Sequence, residues 1–304
     1  MPYKGSKNKL VGKIFELFPR KKNFYDLFCG GCAMTHYGIL HGGFENYYIN
    51  DINPVCPELF MDAVHGKFKD EKRWISREDF FRLKDSEPYV AFCWSFGNNL
   101  RDYLYGKDRE EIKRAWHYAI FFDDFEPAKK LTGIDFSPIK NIKNRKEKYL
   151  TSKEIIRKFY NPSVFGVTQK LQSLQSLQKL ESLERLESLE SLESLQCFNK
   201  SYEEIEIKKD SVIYCDIPYE GTDGYLTDFD FEKFYFWCEK QTEPLFISSY
   251  NMPSDRFVCV AMFRHRCTLS ATKNIEVTEK VFIPKHQEKE YHLPGSLFNF
   301  DEMM

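Results

Sequence analysis

Short apolar runs closed by glycine, proline or an acid recur along this chain, and each predicts a buried strand. The run 24–29 ends at Gly30-Gly31 and reads as a strand entering a tight turn. Residues 33–40 then have helical character, Gly42-Gly43 stops the helix, and the run 47–49 predicts a second strand ending at Asn50-Asp51. Runs at 89–96, 212–215 and 245–248 predict three more strands. Strands separated by helical stretches imply an α/β fold with a Rossmann-like, doubly wound sheet, whose ligands sit at the carboxyl ends of the strands.

Between residues 97 and 196 this alternation lapses into basic, aromatic and helical material. The sequence therefore divides into one domain built from 1–96 and 197–304 and an inserted, mainly helical domain of 97–196. The insert ends in a tract, 171–195, where nine leucines recur at every third position with Gln, Glu, Ser, Lys and Arg between them. A strict period of three drifts by about 60° per repeat on an α-helix, so the leucines should spiral around it without forming a standard coiled coil. The residue types favour helix, a short solenoid-like stack being the alternative.

Composition narrows the class further. Apolar residues make up 42% of the chain, with 28 Phe and 18 Tyr, which excludes wholesale disorder. No apolar run approaches the roughly 18 residues of a membrane span, and the start lacks an apolar signal region, so a soluble, cytoplasmic protein with no membrane partner is expected. Nine cysteines, an odd number, suit reduced thiols better than a disulfide framework. Cys29-x-x-Cys32 has zinc-like spacing, but no second Cys or His pair follows and the seven histidines are scattered; no metal site is expected. The formal net charge of −2 hides segregation: residues 140–158 hold eight bases against Glu147 and Glu154, and the first 22 residues hold seven against Glu16. Such segregation suits a polyanion-binding face.

Three segments carry candidate chemistry. In Tyr214-Cys215-Asp216-Ile217-Pro218-Tyr219 an apolar strand stops at a carboxylate followed by proline and an aromatic. A carboxylate and a backbone carbonyl that accept the two hydrogens of an exocyclic amine localise its lone pair and stabilise positive charge developing on nitrogen, while Tyr219 offers a face for an extruded base. In Asp26-Leu27-Phe28-Cys29-Gly30-Gly31 the glycines let a ligand approach the backbone, and Asp51, 21 positions beyond Gly30, stands where an acid can bind ribose hydroxyls. The Gly-x-Gly-x-x-Gly fingerprint of NAD sites is missing. Tyr3-Lys4-Gly5-Ser6-Lys7 precedes the first strand and is not a P-loop.

In this order, over most of the chain, these segments resemble the Dam-type (D12 class) site-specific DNA adenine-N6 methyltransferases, which carry a large recognition insert before an Asp-Pro-Pro-Tyr motif. Residues 3–7 look like that family's N-terminal aromatic-x-Gly-Gly/Ser-Lys motif, 26–31 like its Phe-x-Gly-Gly cofactor loop, 49–53 like its ribose-binding segment, 216–219 like its catalytic motif, and 196–202 like the strand and turn leading into it. The resemblance implies a methyltransferase sheet with an inserted target-recognition domain, S-adenosylmethionine as cofactor and double-stranded DNA as partner. It implies cofactor contacts from Tyr3, Lys7, Asp26, Phe28, Gly30, Asp51 and Asp216, and a catalytic group of Asp216, Ile217, Pro218 and Tyr219 around a flipped adenine. Candidate DNA contacts are Asn98, Asn99, Arg101, Lys140, Lys143, Arg145 and Lys146. The implied setting is the cytoplasm of a bacterial cell, beside a restriction nuclease, alone, or as a phage product. Ile217 departs from the family's first proline; Ile or Leu there is also usual in adenine methyltransferases of ribosomal RNA, so an RNA adenine-N6 methyltransferase is the alternative enzyme. An inactive nucleic-acid-binding module on the same fold is the other, opposed by the joint presence of Asp51, Asp216, Pro218 and Tyr219. The recognition segment of the GATC-methylating members is not recognisable, which leaves the target sequence open, as is the oligomeric state.

Overall fold

The computed structural model describes residues 10–159, 169–189, 194–218, 229–267 and 275–290, so Tyr3, Lys7 and Tyr219 lie outside the described residues. The chain forms two compact units, one from 5–58 and 191–304 and the other from 59–190. Residues 59–96, grouped by sequence with the sheet, thus lie in the second unit.

In the first unit β1 (Asn23–Asp26), β2 (Asn46–Asn50), β3 (Leu195–Phe198), β4 (Ser211–Asp216), β5 (Leu245–Ser249), β6 (Phe257–Cys267) and β7 (Ile275–Pro284) form one sheet in the order β3-β2-β1-β4-β5-β7-β6. The strands from β3 to β5 in that order run parallel, and β7 is antiparallel to both β5 and β6. Strand order reverses between β1 and β4, the switch point where a parallel sheet opens a crevice at its carboxyl edge. Alternation along β1 supplies a core on each face: Phe24 packs with Phe15, Phe18 and Phe44, while Tyr25 stacks on Tyr48 of β2 at 4.3 Å. Tyr25 and Leu27 share their face with Ile213, Cys215, Leu245 and Ile247, all buried.

Helices α1 (Val11–Phe15) and α2 (Ala33–Tyr37) belong to this unit; a π-turn, Gly38–Gly42, continues α2 until Gly43 ends it at φ 70°. The division between units falls inside α3 (Val55–Val64), after Glu58. The second unit contains α4 (Arg77–Leu83), α5 (Pro88–Cys93), α6 (Lys107–Phe122), α7 (Glu126–Thr132), α8 (Arg145–Lys158) and α9 (Gln175–Glu184), and α10 (Phe231–Cys238) returns to the first. Helix α5 corrects the strand expected at 89–96. Its residues Tyr89 to Cys93 are buried all round, a pattern that periodicity cannot assign to strand or helix, and Pro88 in the first turn favours the helix.

The leucine tract resolves its geometric conflict by changing helix type. Leu177, Leu180 and Leu183 drift through only about 120° of α9, so one buried face still holds them. Beyond that point the helix tightens to 3₁₀ over Arg185–Leu189, and three residues per turn keep Leu186 and Leu189 in line. The seven leucines from Leu171 to Leu189 are at most 4% exposed, and Leu195 belongs to β3.

Candidate active site

The loop after β1 is shaped by backbone conformation. Gly30 has φ 44° and Cys32 φ 53°, both left-handed, and the Cys32 amide closes the turn on the Cys29 carbonyl at 2.6 Å. This turn aims the Gly30 N–H across the carboxyl edge of the sheet at Asp51 Oδ2, 2.8 Å away. Asp51 Oδ1 accepts from the Asn53 amide at 2.9 Å. Burial raises the Asp51 pKa, and these two donors oppose that shift. A carboxylate has about four lone-pair positions, so two remain for an outside pair of hydroxyls.

Two asparagines that the sequence reading gave no role fix this acid. Asn50 Nδ2 donates to the carbonyls of Leu27 and Lys200, both at 3.1 Å, and its Oδ1 accepts from the Lys200 amide at 3.0 Å, tying the carboxyl ends of β1, β2 and β3 together. Asn199 Nδ2 donates to the carbonyls of Asp51 at 2.7 Å and Ile52 at 3.1 Å. Their signal in the sequence is a polar amide at the end of an apolar strand, where no core position asks for one.

Asp26 lies beneath the loop, 1% exposed, its Oδ2 accepting from the Thr35 hydroxyl at 2.7 Å and the Thr35 amide at 3.3 Å. It therefore ties β1 to α2, and its carboxyl is turned to the protein interior. Burial, with the Asp216 and Asp51 carboxylates adding repulsion, pushes its pKa up to about 7 against the donors of Thr35. A pKa raised from 3.8 contributes stability that is complete below about pH 4 and is lost as pH rises through 7. Asp26→Asn keeps an acceptor for Thr35 and removes this titration. Its melting temperature should exceed that of the wild type by several degrees at pH 8, with the difference vanishing near pH 4, as thermal scans across that range will read.

Asp216 closes β4 at the same edge, half-buried, in register with Ser248 of β5. The Tyr214 hydroxyl beneath it donates to Ser248 Oγ at 2.7 Å, Ile217 is buried and Pro218 half-buried. Phe28 packs on Tyr202, Phe229 and Phe234 at centroid distances of 5.5 to 5.8 Å. The structure thus brings Gly30, Asp51 and Asp216 to the carboxyl ends of β1, β2 and β4, with Asp26 and Phe28 supporting them from below and beside. The Cys29 and Cys32 sulfurs lie 3.5 Å apart, and burial raises the Cys29 thiol well above its ordinary value. Among the described residues no group of three or more His, Cys, Asp and Glu can hold a metal ion, and no described helix is long and apolar enough to cross a membrane.

The candidate DNA contacts fall on the second unit and divide by what they touch. Lys140, Lys143 and Lys146 are exposed at and before the start of α8, and Arg101 is exposed on the loop 96–102. Arg145 pairs instead with Glu184 and lies over the Phe121 ring at 5.2 Å. Asn99 shapes its own turn: its Oδ1 accepts from the amides of Arg101 and Asp102 at 2.9 Å, and its Nδ2 donates to the Asp102 carboxylate at 2.7 Å. Asn98 adopts φ 57° at the loop tip.

A parallel sheet reversing between β1 and β4, an antiparallel β7 inserted before β6, and a glycine loop bonded to an acid at the end of β2 together define a mixed α/β protein consistent with the methyltransferase fold. Residues 3–105, about a third of the chain, match the model of the D12 class N6 adenine-specific DNA methyltransferases, a family of S-adenosylmethionine-dependent enzymes acting on DNA adenine. No curated protein matches the chain.

Proposed function

We propose that the protein transfers a methyl group from S-adenosylmethionine to N6 of an adenine flipped out of double-stranded DNA, within a short specific sequence. The observation that carries this reading is the convergence of Gly30, Asp51 and Asp216 at the switch point of the sheet, in a chain whose first third matches the adenine-methylating family. The residues fit the cofactor: Asp51 keeps lone pairs for the ribose hydroxyls, and Gly30 presents bare backbone beside it. When bound, S-adenosylmethionine supplies an electrophilic methyl on its sulfonium.

Asp216 and the backbone carbonyl of Ile217 accept the two N6 hydrogens of the target adenine, which localises the nitrogen lone pair. Positive charge that develops on N6 as the methyl is transferred would lie opposite the Asp216 carboxylate, which would stabilise it, and the surplus N6 proton would pass to solvent. Tyr219 stacks on the flipped base, and Lys140, Lys143 and Lys146 contact phosphates.

The test is transfer of labelled methyl to unmethylated double-stranded DNA of mixed sequence, with RNA in parallel and Asp216→Ala as control. Label recovered as N6-methyladenine in DNA establishes the reaction; label in RNA alone establishes the RNA enzyme that Ile217 suggests. A second measurement separates the cations. Replacing Lys140, Lys143 and Lys146 together by alanine should weaken DNA binding and flatten the log–log salt dependence by roughly 2 to 3, whereas Arg145→Ala should leave the slope unchanged and lower the melting temperature.

A further inference from the structure

We propose that the leucine tract is the scaffold of the loop 96–102, with Lys179 and Ser176 of α9 as its positioning residues; the inference rests on the reading of that loop as a DNA contact. The loop is a hairpin. Its legs join through a bridge between Ser95 and Tyr103, with the Phe96 amide on the Asp102 carbonyl at 2.7 Å and the Leu104 amide on the Trp94 carbonyl at 2.8 Å. Its tip holds Gly97, Asn98 and Leu100 at φ of 57°, 57° and 60°, and presents Phe96 at 64% exposure beside exposed Arg101. A left-handed Asn and Leu close together are strained, and such a conformation persists only where neighbouring structure imposes it.

Both legs are held from α9. Lys179 Nζ donates to the carbonyls of Phe92 at 3.0 Å and Ser95 at 2.8 Å, which satisfies the end of α5 and anchors the incoming leg. On the outgoing leg the Tyr105 hydroxyl meets Ser176 Oγ at 2.9 Å and accepts from the Ser176 amide at 3.2 Å. Residues three apart are neighbours on a helix surface, so one short stretch of α9 grips the two legs. The tract's sequence marks the place: in its Leu-x-x triplets from Leu171 to Ser194 the third residue is Ser, except at Lys179 and Arg185. Burial depresses the Lys179 ammonium to about 8, a cost accepted for an amine that binds two backbone carbonyls. The low-complexity tract is thus a ruler with a buried leucine face and two polar clips.

Lys179→Met, Lys179→Arg and Ser176→Ala test this, each read by amide hydrogen exchange and by steady-state methyl transfer. In Lys179→Met the Phe96, Asn99 and Leu104 amides should exchange roughly tenfold faster, with the β1, β2 and β4 amides unchanged, because two buried carbonyls lose their donor. The DNA KM should rise about tenfold while kcat and S-adenosylmethionine affinity stay near wild type. Lys179→Arg should recover part of both changes, and Ser176→Ala should shift both in the same direction and guards against a Lys179→Met protein that fails to fold. Unchanged exchange in the loop for both Lys179→Met and Ser176→Ala overturns the scaffold. Faster exchange with an unchanged DNA KM overturns its bearing on DNA. A wild-type protein that methylates no DNA sinks the functional reading, and loop exchange then decides the scaffold alone.

Discussion

Asp216→Ala should lower kcat for methyl transfer to DNA by roughly 100- to 1,000-fold or more, while the protein stays folded. In the proposed reaction the carboxylate faces charge that appears on N6 only as the new bond forms, so its loss should fall on kcat more than on KM for DNA. The fold should survive because Asp216 is placed by backbone: β4 pairs with β1 on one side and with β5 on the other, where Ser248 lies beside Asp216, and neither ladder needs the side chain. The same substitution has a second readout independent of turnover. The Asp216 carboxylate is one of the groups that raise the Asp26 pKa, so removing it should move the Asp26 titration to lower pH. A raised pKa costs stability above its midpoint, hence the variant should be at least as stable as wild type at pH 8. Transfer rates within tenfold of wild type would refute the catalytic role; a collapsed melting transition would instead make Asp216 a folding residue. Asp216→Asn keeps the shape and one acceptor oxygen, and should retain more activity than the alanine variant.

The parts of the fold that could be read from sequence were those with one physical solution. β1, β2 and β4 are short apolar runs ended by Gly, Asn-Asp or Asp-x-Pro, β5 is one ended by Ser248-Ser249, and all four lie as parallel strands inside the sheet, where such runs are buried on both faces. Helix α5 was misread because Tyr89 to Cys93 is buried on every side, which erases the difference between a period of 2 and one of 3.6. β7 does not alternate, since Val281, Phe282 and Ile283 are all buried and Glu279, only 2% exposed, puts a charge among them, and β6 passes from a continuous apolar run into Arg264-His265-Arg266. The leucine period was plain, yet its meaning depended on a switch to 3₁₀ geometry that propensity does not encode. At the site, Gly30, Asp51 and Asp216 were legible because unusual residues stood at strand ends. Asn50 and Asn199 were not, since their value lies in carbonyls brought together by pairing across about 150 residues of sequence.

Asp51→Ala should cost roughly 100-fold or more in S-adenosylmethionine affinity without unfolding the sheet. Two losses combine. The outward lone pairs assigned to the ribose hydroxyls disappear, and so does the acceptor that holds the Gly30 amide at 2.8 Å and the Asn53 amide at 2.9 Å. The loop after β1 then loses the restraint that keeps Gly30 and Cys32 left-handed, and the cofactor must reorder it on binding. Asp51→Asn should be nearly as damaging: an amide keeps one acceptor oxygen and turns an NH2 toward one of two backbone donors, so one contact becomes repulsive. Asn199, which braces the Asp51 and Ile52 carbonyls, still holds the backbone in both variants, so far-UV circular dichroism should match wild type. Calorimetric titration with S-adenosylmethionine and with its demethylated product separates this role from that of Asp216. Both ligands carry the ribose, so Asp51 variants should lose affinity for the two equally. Binding within about threefold of wild type in Asp51→Ala would remove Asp51 from the cofactor site and leave it a residue that shapes the loop alone.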